Sequence, residues 1–223
     1  MQKFDTPAPV SVVLDVPAGR IRFIAADRTS TTVEVLPANP SKSRDIKAAD
    51  QMKVAYGDGV LRIEAPAAKN QFFGPSGSVE VTVQLPADSR VEAKAASAEF
   101  RGVGRLGDVV FESAHGSIKL DETESAHLTT LAGDISVGRL GGPAEISTQK
   151  GDIEIAEAMR GRVTLRTEAG DLSIGAARGV SASLDAGTGY GRISNTLKNA
   201  DGADAALNIH ATTSYGDITA RSI

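Results

Sequence analysis

The acids with the most regular spacing are Asp108, Asp134, Asp152, Asp171 and Asp217, each directly after a glycine. A row of Gly-Asp turns could offer carboxylate oxygens to calcium, a hard cation that takes about six to eight oxygen ligands. The repeated nonapeptide of calcium β-rolls is absent, however, and two aligned positions hold Ser117 and Arg192. These aspartates are therefore expected to accept hydrogen bonds from turn amides, and no metal site is assigned. His115, His127 and His210 are the only histidines. None stands at a metal-ligand spacing such as i, i+4 on a helix, so turn or solvent-facing positions are expected. No serine sits in a glycine-flanked nucleophile motif. Asp121, Glu122 and Glu124 form one local acidic group and Glu154 with Glu157 another, the residue type that polysaccharide-cleaving enzymes use in pairs. Here they are read as charge on solvated faces. No catalytic residue and no cofactor follows, and the chain is expected not to be an enzyme.

Two features suit binding instead. Phe72 and Phe73 are adjacent in a Gly/Pro/Ser-rich stretch, so their side chains point in different directions and one is free to serve as a contact while the other plugs the core. Tyr190 and Tyr215 each precede a glycine and are expected to pack on one another.

These residues must be positioned by a repeat, and one is present. Aligned on glycine, the pattern is small or aliphatic, any, aliphatic, any, Ser/Thr, any, any, Gly, usually Asp, Ile or Leu, any, aliphatic. The first copy runs Val109, Phe111, Ser113, Gly116, Ile118, Leu120, and the second Ala126, Leu128, Thr130, Gly133, Ile135, Val137. The third is Ala144, Ile146, Thr148, Gly151, Ile153, Ile155, and the fourth Val163, Leu165, Thr167, Gly170, Leu172, Ile174. A fifth (Leu184, Ala186, Thr188, Gly191, Ile193) and a sixth (Ile209, Ala211, Thr213, Gly216, Ile218) follow, and Val91, Ala93, Ala95, Ala98, Phe100 reads as a degenerate earlier copy. Glycine intervals of 17, 18, 19, 21 and 25 residues point to a constant bend with lengthening outer loops.

Alternation on both sides of the glycine is the period-two signature of strands with one buried face. Glycine supplies bend angles that a side chain forbids. The Ser/Thr three residues earlier falls on the inward parity, so its hydroxyl needs a partner, a neighbouring turn amide or the matching hydroxyl one unit away. One unit has about four inward aliphatics worth about 1.5–3 kcal/mol each, against roughly 1–2 kcal/mol of backbone entropy for each of its residues. It cannot fold alone, and neighbours must cover it.

Before residue 90 the strands are irregular. Val12, Leu14, Val16, Gly19, Ile21, Phe23 fits the template, as does Met52, Val54, Tyr56, Gly59, Leu61, Ile63, the latter around a Gly57-Asp58-Gly59 hairpin turn. Helix is confined to one or two turns at Asp45–Gln51 and a shorter piece at Glu122–Ala126. The expected fold is all-β: a β-solenoid or β-helix-like stack of strand-turn-strand repeats over 91–223, continuous with an irregular antiparallel β cap over 1–90 that shields sheet edges.

Composition narrows the partners. The 223-residue chain has 41% hydrophobic and 23% charged residues, net charge −4 and no cysteine. Disulfides and thiolate metal sites are excluded. Cations are spread thinly among more numerous acids, which disfavours nucleic acid. No stretch approaches a membrane span. The first residues lack the apolar run of a secretory signal, so a cytoplasmic location is expected of the sequence as written, and a cell-envelope one if an export segment was removed.

The Gly-Asp-Ile repeats, the opening Phe4 and Pro-Val-Ser-Val run, Gly19-Arg-Ile-Arg-Phe-Ile-Ala-Ala-Asp-Arg28 followed by Thr32-Val-Glu-Val, and the closing Thr213-Ser-Tyr-Gly-Asp-Ile218 resemble the bacterial β-strand-repeat family called domain of unknown function 4097, also labelled "putative adhesin", especially its actinobacterial members. The resemblance covers essentially the whole chain. It implies a solenoid-like repeat fold and an adhesion or cell-envelope role, and carries no catalytic residues. The leading expectation is a non-enzymatic binding or scaffold module that recognises another macromolecule, a protein or a cell-envelope component, through strand faces or loops. The alternatives are a structural β-solenoid that self-associates through its stack ends rather than remaining a monomer, and a carbohydrate-active β-helix.

Overall fold

Alternating aliphatic and polar residues favour extended backbone with one apolar face, and the computed structural model, which describes residues 1–65 and 77–223, is built mainly of strands. Its first half contains β1 (Gln2–Asp5), β2 (Ser11–Ala26), β3 (Ser30–Pro37), α1 (Ser43–Gln51), β4 (Lys53–Gly57), β5 (Val60–Glu64), β6 (Val79–Pro86) and the long β7 (Arg90–His115). Then follow β8 (Ile118–Thr129), β9 (Ile135–Leu140), β10 (Ala144–Ser147), β11 (Ile153–Ala158), β12 (Gly161–Ala169), β13 (Leu172–Ala176), β14 (Ala182–Tyr190), β15 (Ile193–Thr196), β16 (Leu207–Tyr215) and β17 (Ile218–Ser222). Glu122–Ala126 lies inside β8, extended rather than helical. Its inward Thr123 and Ala126 are buried in the stack, and that packing overrides local preference.

Each repeat is one coil, and the coils stack as parallel neighbours to give a β-solenoid-like fold. Strands before the bend form a first ladder that runs β5, the first half of β2, the two coils of β7, the end of β8, β10, β12, β16 and β14. Strands after the bend form a second ladder: β6, the rest of β2, the Phe100 stretch of β7, the start of β8, β9, β11, β13, β17 and β15.

Stack order departs from chain order at both ends. The sixth copy lies between the fourth and the fifth, because β16 pairs with β12 on one side and β14 on the other. The reading of the 25-residue interval as mere loop growth is corrected accordingly. The terminal position goes to the more polar coil. Asn195 stands in the column that holds Val137, Ile155, Ile174 and Ala220 in coils further in, as expected of a capping repeat. At the other end β2 is likewise interior, flanked by β7 and by β5 with β6.

Beyond β2 the pairing turns antiparallel: β3 with β6, β1 with β3, β4 with β5. The Met52–Ile63 copy is not a coil like the others. Asp58 (φ 50°) and Gly59 (φ 75°) both adopt left-handed angles, which reverses the chain into a hairpin. Helix α1 is fastened to the start of β6, where the buried Asp45 carboxylate accepts the Ser78 N–H at 3.0 Å.

The core is the set of inward columns. Leu128, Ile146 and Leu165 are neighbours in register and fully buried. Phe23, Phe100 and Phe111 are buried as a run of neighbouring rings, with centroids 5.6 and 4.5 Å apart, and Leu106 and Leu120 fill the space beside Gly102.

Candidate functional site

The groups that could do chemistry at the bends serve the stack. Glycines Gly116, Gly133, Gly151, Gly170, Gly216 and Gly191 form one column in that spatial order. A Cβ on Gly151 (φ 145°) would lie 2.2 Å from the Gly133 carbonyl oxygen, and one on Gly216 (φ 152°) 1.9 Å from that of Gly170. No side chain fits, and no L-residue prefers that angle. Beside the glycines runs a column of aspartates. The Asp152 N–H donates to Asp134 Oδ1 at 3.0 Å, the Asp171 N–H to Asp152 Oδ1 at 2.8 Å, and the Asp217 N–H to Asp171 Oδ1 at 2.7 Å. The column ends on Arg192, whose N–H and guanidinium both donate to Asp217, at 2.8 and 3.1 Å. Those contacts hold the Asp217 carboxyl below its ordinary range, the backbone bond most of all.

The inward threonines find a partner that the sequence reading did not name. Thr167 donates to the Gly151 carbonyl at 3.1 Å, Thr213 to Gly170 at 3.1 Å and Thr188 to Gly216 at 2.9 Å. Turn amides do not serve because they already donate to backbone carbonyls of the next coil, as Gly133 does to Lys150 and Gly151 to Ala169. The glycine carbonyl is the group left over. Among the inward positions of the six copies, Ser113 alone donates to its counterpart hydroxyl, Thr130, at 3.2 Å.

The acidic groups are tied to arginines: Asp121 to Arg101 (2.6 Å), Glu124 to Arg160 (3.0 Å) and Glu157 to Arg139 (3.9 Å). Among the described residues no group of three or more His, Asp or Glu could hold a metal ion. Tyr190 and Tyr215 stack in parallel, centroids 5.1 Å apart, and both are exposed, at 71% and 60%. Phe72 and Phe73 lie outside the described residues. Asp108 accepts the Ser125 hydroxyl at 2.6 Å, and His115 is exposed beside the Gly116 bend.

Two histidines face outward on the first ladder against acids of the next coil. His127 lies 3.6 Å from Glu145, and His210 Nδ1 lies 3.0 Å from Asp185 Oδ2. The second pair opens on a shallow groove of about 420 Å³ lined by Arg162, Thr164, Ser183 and Asn208. Asp185 and His210 hold matching positions of the fifth and sixth copies, a signal the repeat alignment offered, whereas Arg162 and Thr164 join them only because β16 lies against β12.

A family model described as Toastrack DUF4097 matches residues 11–222. The chain belongs to the Toastrack DUF4097 family. Among solved structures, this Toastrack chain is similar to a "putative adhesin" from Parabacteroides distasonis, 17% identical, with 98% of this chain and 95% of that one covered and a TM-score of 0.54. It is also similar to a "putative lipid binding protein" from the same organism (11% identical, 98% and 95% covered, TM-score 0.49) and to a "putative cell adhesion protein" from Clostridium sporogenes (13% identical, 100% and 98% covered, TM-score 0.41). At 17% identity the likeness to the first of these shows the fold alone. The comparison with curated proteins found no match. Among the described residues, no helix is long and apolar enough to cross a membrane.

Proposed function

We propose that this Toastrack chain is a non-enzymatic binding or scaffold module that recognises another macromolecule, a protein or a cell-envelope component, through an outward strand face. The observation that carries the reading is the use made of the repeated polar groups. Aspartate carboxylates take the amides of the next coil and threonine hydroxyls take glycine carbonyls, so the chemistry-bearing residue types at the bends hold the stack together. What remains regular and available is the outer side of two long parallel ladders. The "putative adhesin" named for the Parabacteroides distasonis structure is in keeping with that reading.

The test is capture from native lysate with mass spectrometry, using wild type and the face variants Ser147→Arg (first ladder) and Ser173→Arg (second ladder), with a Phe72→Ala, Phe73→Ala variant beside them. One face variant loses a partner while keeping the wild-type melting temperature. Loss only in the Phe72/Phe73 variant moves the contact to that loop and overturns the face reading, as does retention of every partner by both face variants. Turnover of a polysaccharide by the wild type overturns the non-enzymatic part.

A second reading, self-association through a stack end, is favoured by the outermost coil: among the described residues β14 pairs only with β16, and β15 only with β17. Such one-sided strands are templates for another chain. Sedimentation at several concentrations decides it, since a concentration-independent monomer removes this reading.

A further inference from the structure

On the outward side of the second ladder, register sets Arg22 beside Arg101 and Arg101 beside Lys119. Three cations on successive parallel strands, spaced about 4.8 Å apart, repel one another, and like charges directly opposite destabilise a sheet. General basicity is not the cause, because the chain carries a net charge of −4. The same column holds Thr82 before the three and Ser136, Glu154, Ser173, Thr219 and Ser194 after them, so the cations are confined to these coils.

Neighbouring acids neutralise the row only at its centre, where Asp121 pairs with Arg101. Glu80 and Glu99 pair with Arg20, at 2.8 and 3.7 Å. Asp121 takes Arg101 Nη2 at 2.6 Å and is itself held by the Gly104 N–H at 3.2 Å, which orients the guanidinium. Arg101 Nη1 is covered and has no hydrogen-bond partner, while Arg22 and Lys119 are exposed and make no ion pair among the described residues. Two free cations thus flank one that Asp121 holds in place.

We infer that Arg22, Arg101 and Lys119 form a row that binds phosphate groups carried along a polymer, an inference that rests on the strand-face reading above. The guanidinium fork matches an oxygen pair of a carboxylate or a phosphate. A carboxylate has one such pair and satisfies one fork, whereas a phosphate tetrahedron presents oxygen edges in two directions, so one held by the Arg22 fork keeps oxygens for the cations beside it. A single phosphate reaches two of the cations and a string of them meets all three. Bases are not part of the ligand. The neighbouring outward positions Thr82, Gln84, Ile24 and Val103 include no aromatic ring on which a base could stack.

The experiment titrates the full chain with long-chain inorganic polyphosphate at increasing salt, and in parallel with inorganic phosphate, poly-L-glutamate and single-stranded DNA of equal charge. Polyphosphate binds most tightly, and the logarithm of its binding constant falls against log salt with a slope of about −2 to −3, as release of counterions by three cations requires. Arg22→Gln and Lys119→Gln each weaken binding severalfold and flatten the slope by about 0.7. Both melt no lower than wild type, because removing one cation relieves repulsion. A Lys47→Gln, Arg178→Gln control leaves binding unchanged. Equal loss in the control, no loss in the row variants, or glutamate polymer, DNA or free phosphate binding as tightly as polyphosphate overturns the inference. If the row fails while Ser173→Arg still loses its partner, the strand-face reading stands and only the row is wrong.

Discussion

Replacing Gly151 by alanine puts a methyl group against the backbone of the coil below. The new Cβ would sit 2.2 Å from the Gly133 oxygen and 2.6 Å from its carbon, whereas real Cβ atoms essentially never come closer than 3.0 Å. The two coils must part locally by roughly 1 Å, and the angle of 145° costs a side-chain-bearing residue about 1–3 kcal/mol in itself. Parting strains the bonds that cross the gap, from Thr148 Oγ1 to the Gly133 oxygen (3.4 Å), from Gly133 N to Lys150 O (2.9 Å) and from Asp152 N to Asp134 Oδ1 (3.0 Å). At about 0.5–1.5 kcal/mol each, the total is about 3–6 kcal/mol. Gly179 is the control, with φ 79° but no atom within 4 Å of the place a methyl carbon would take, so its alanine variant carries only the backbone cost of about 1–2 kcal/mol. In calorimetry, where a domain of this size shifts by about 2–4 °C per kcal/mol, Gly151→Ala melts at least roughly 6 °C below wild type and clearly below Gly179→Ala. Equal melting of the two variants would refute the claim that the glycine column sets coil contact.

Three further outcomes follow from the same geometry. Ile146→Ala, at a fully buried position in the middle of the stack, lowers stability by about 2–5 kcal/mol in urea unfolding, while Ile193→Ala in the exposed terminal coil changes it far less. Asp217, whose folded-state pKa is lowered by the Arg192 backbone N–H and guanidinium, stabilises docking of the β14–β15 coil above its unfolded-state pKa, and that contribution is lost as pH falls through the folded value. Protection factors over residues 192–196, taken relative to the intrinsic exchange rate at each pH, therefore fall in acid below the ordinary aspartate range, and Arg192→Gln weakens that dependence. A chain ending at Ala206 lacks β16 and β17, the strands that pair with β14 and β15 among the described residues, so residues 182–196 lose exchange protection together; retained protection there contradicts the observed pairing.

The repeat, its inward columns and its bend glycines were legible because they are local. Val163, Leu165, Thr167 and Gly170 announce a coil within a few residues. Pairing partners are not local, and each failure of the sequence reading has that cause. Nothing near Gly191 or Gly216 states which of the two lies against Gly170; relative polarity, Asn195 against Ala220, was the available signal. At Met52–Ile63 the template also matched, but there the local Gly57-Asp58-Gly59 run already signalled the hairpin that left-handed Asp58 and Gly59 make. The threonine acceptor could have been found by asking which turn group remains unpaired after the ladders form. The His210–Asp185 pair was legible in the alignment of the last two copies, whereas the Arg22–Arg101–Lys119 row emerges only once register is known.

Because the chain has no cysteine, stack order can be read with paired substitutions at outward positions of the first ladder. Thr164 faces His210 directly, and His210 in turn faces Asp185. Neighbouring strands bring Cα atoms within disulfide reach, and strands two coils apart do not. Under mild oxidation the Thr164→Cys, His210→Cys variant forms an intramolecular disulfide and the Thr164→Cys, Asp185→Cys variant does not. A disulfide in the second variant and none in the first would place the coils in chain order and contradict the interleaved stack.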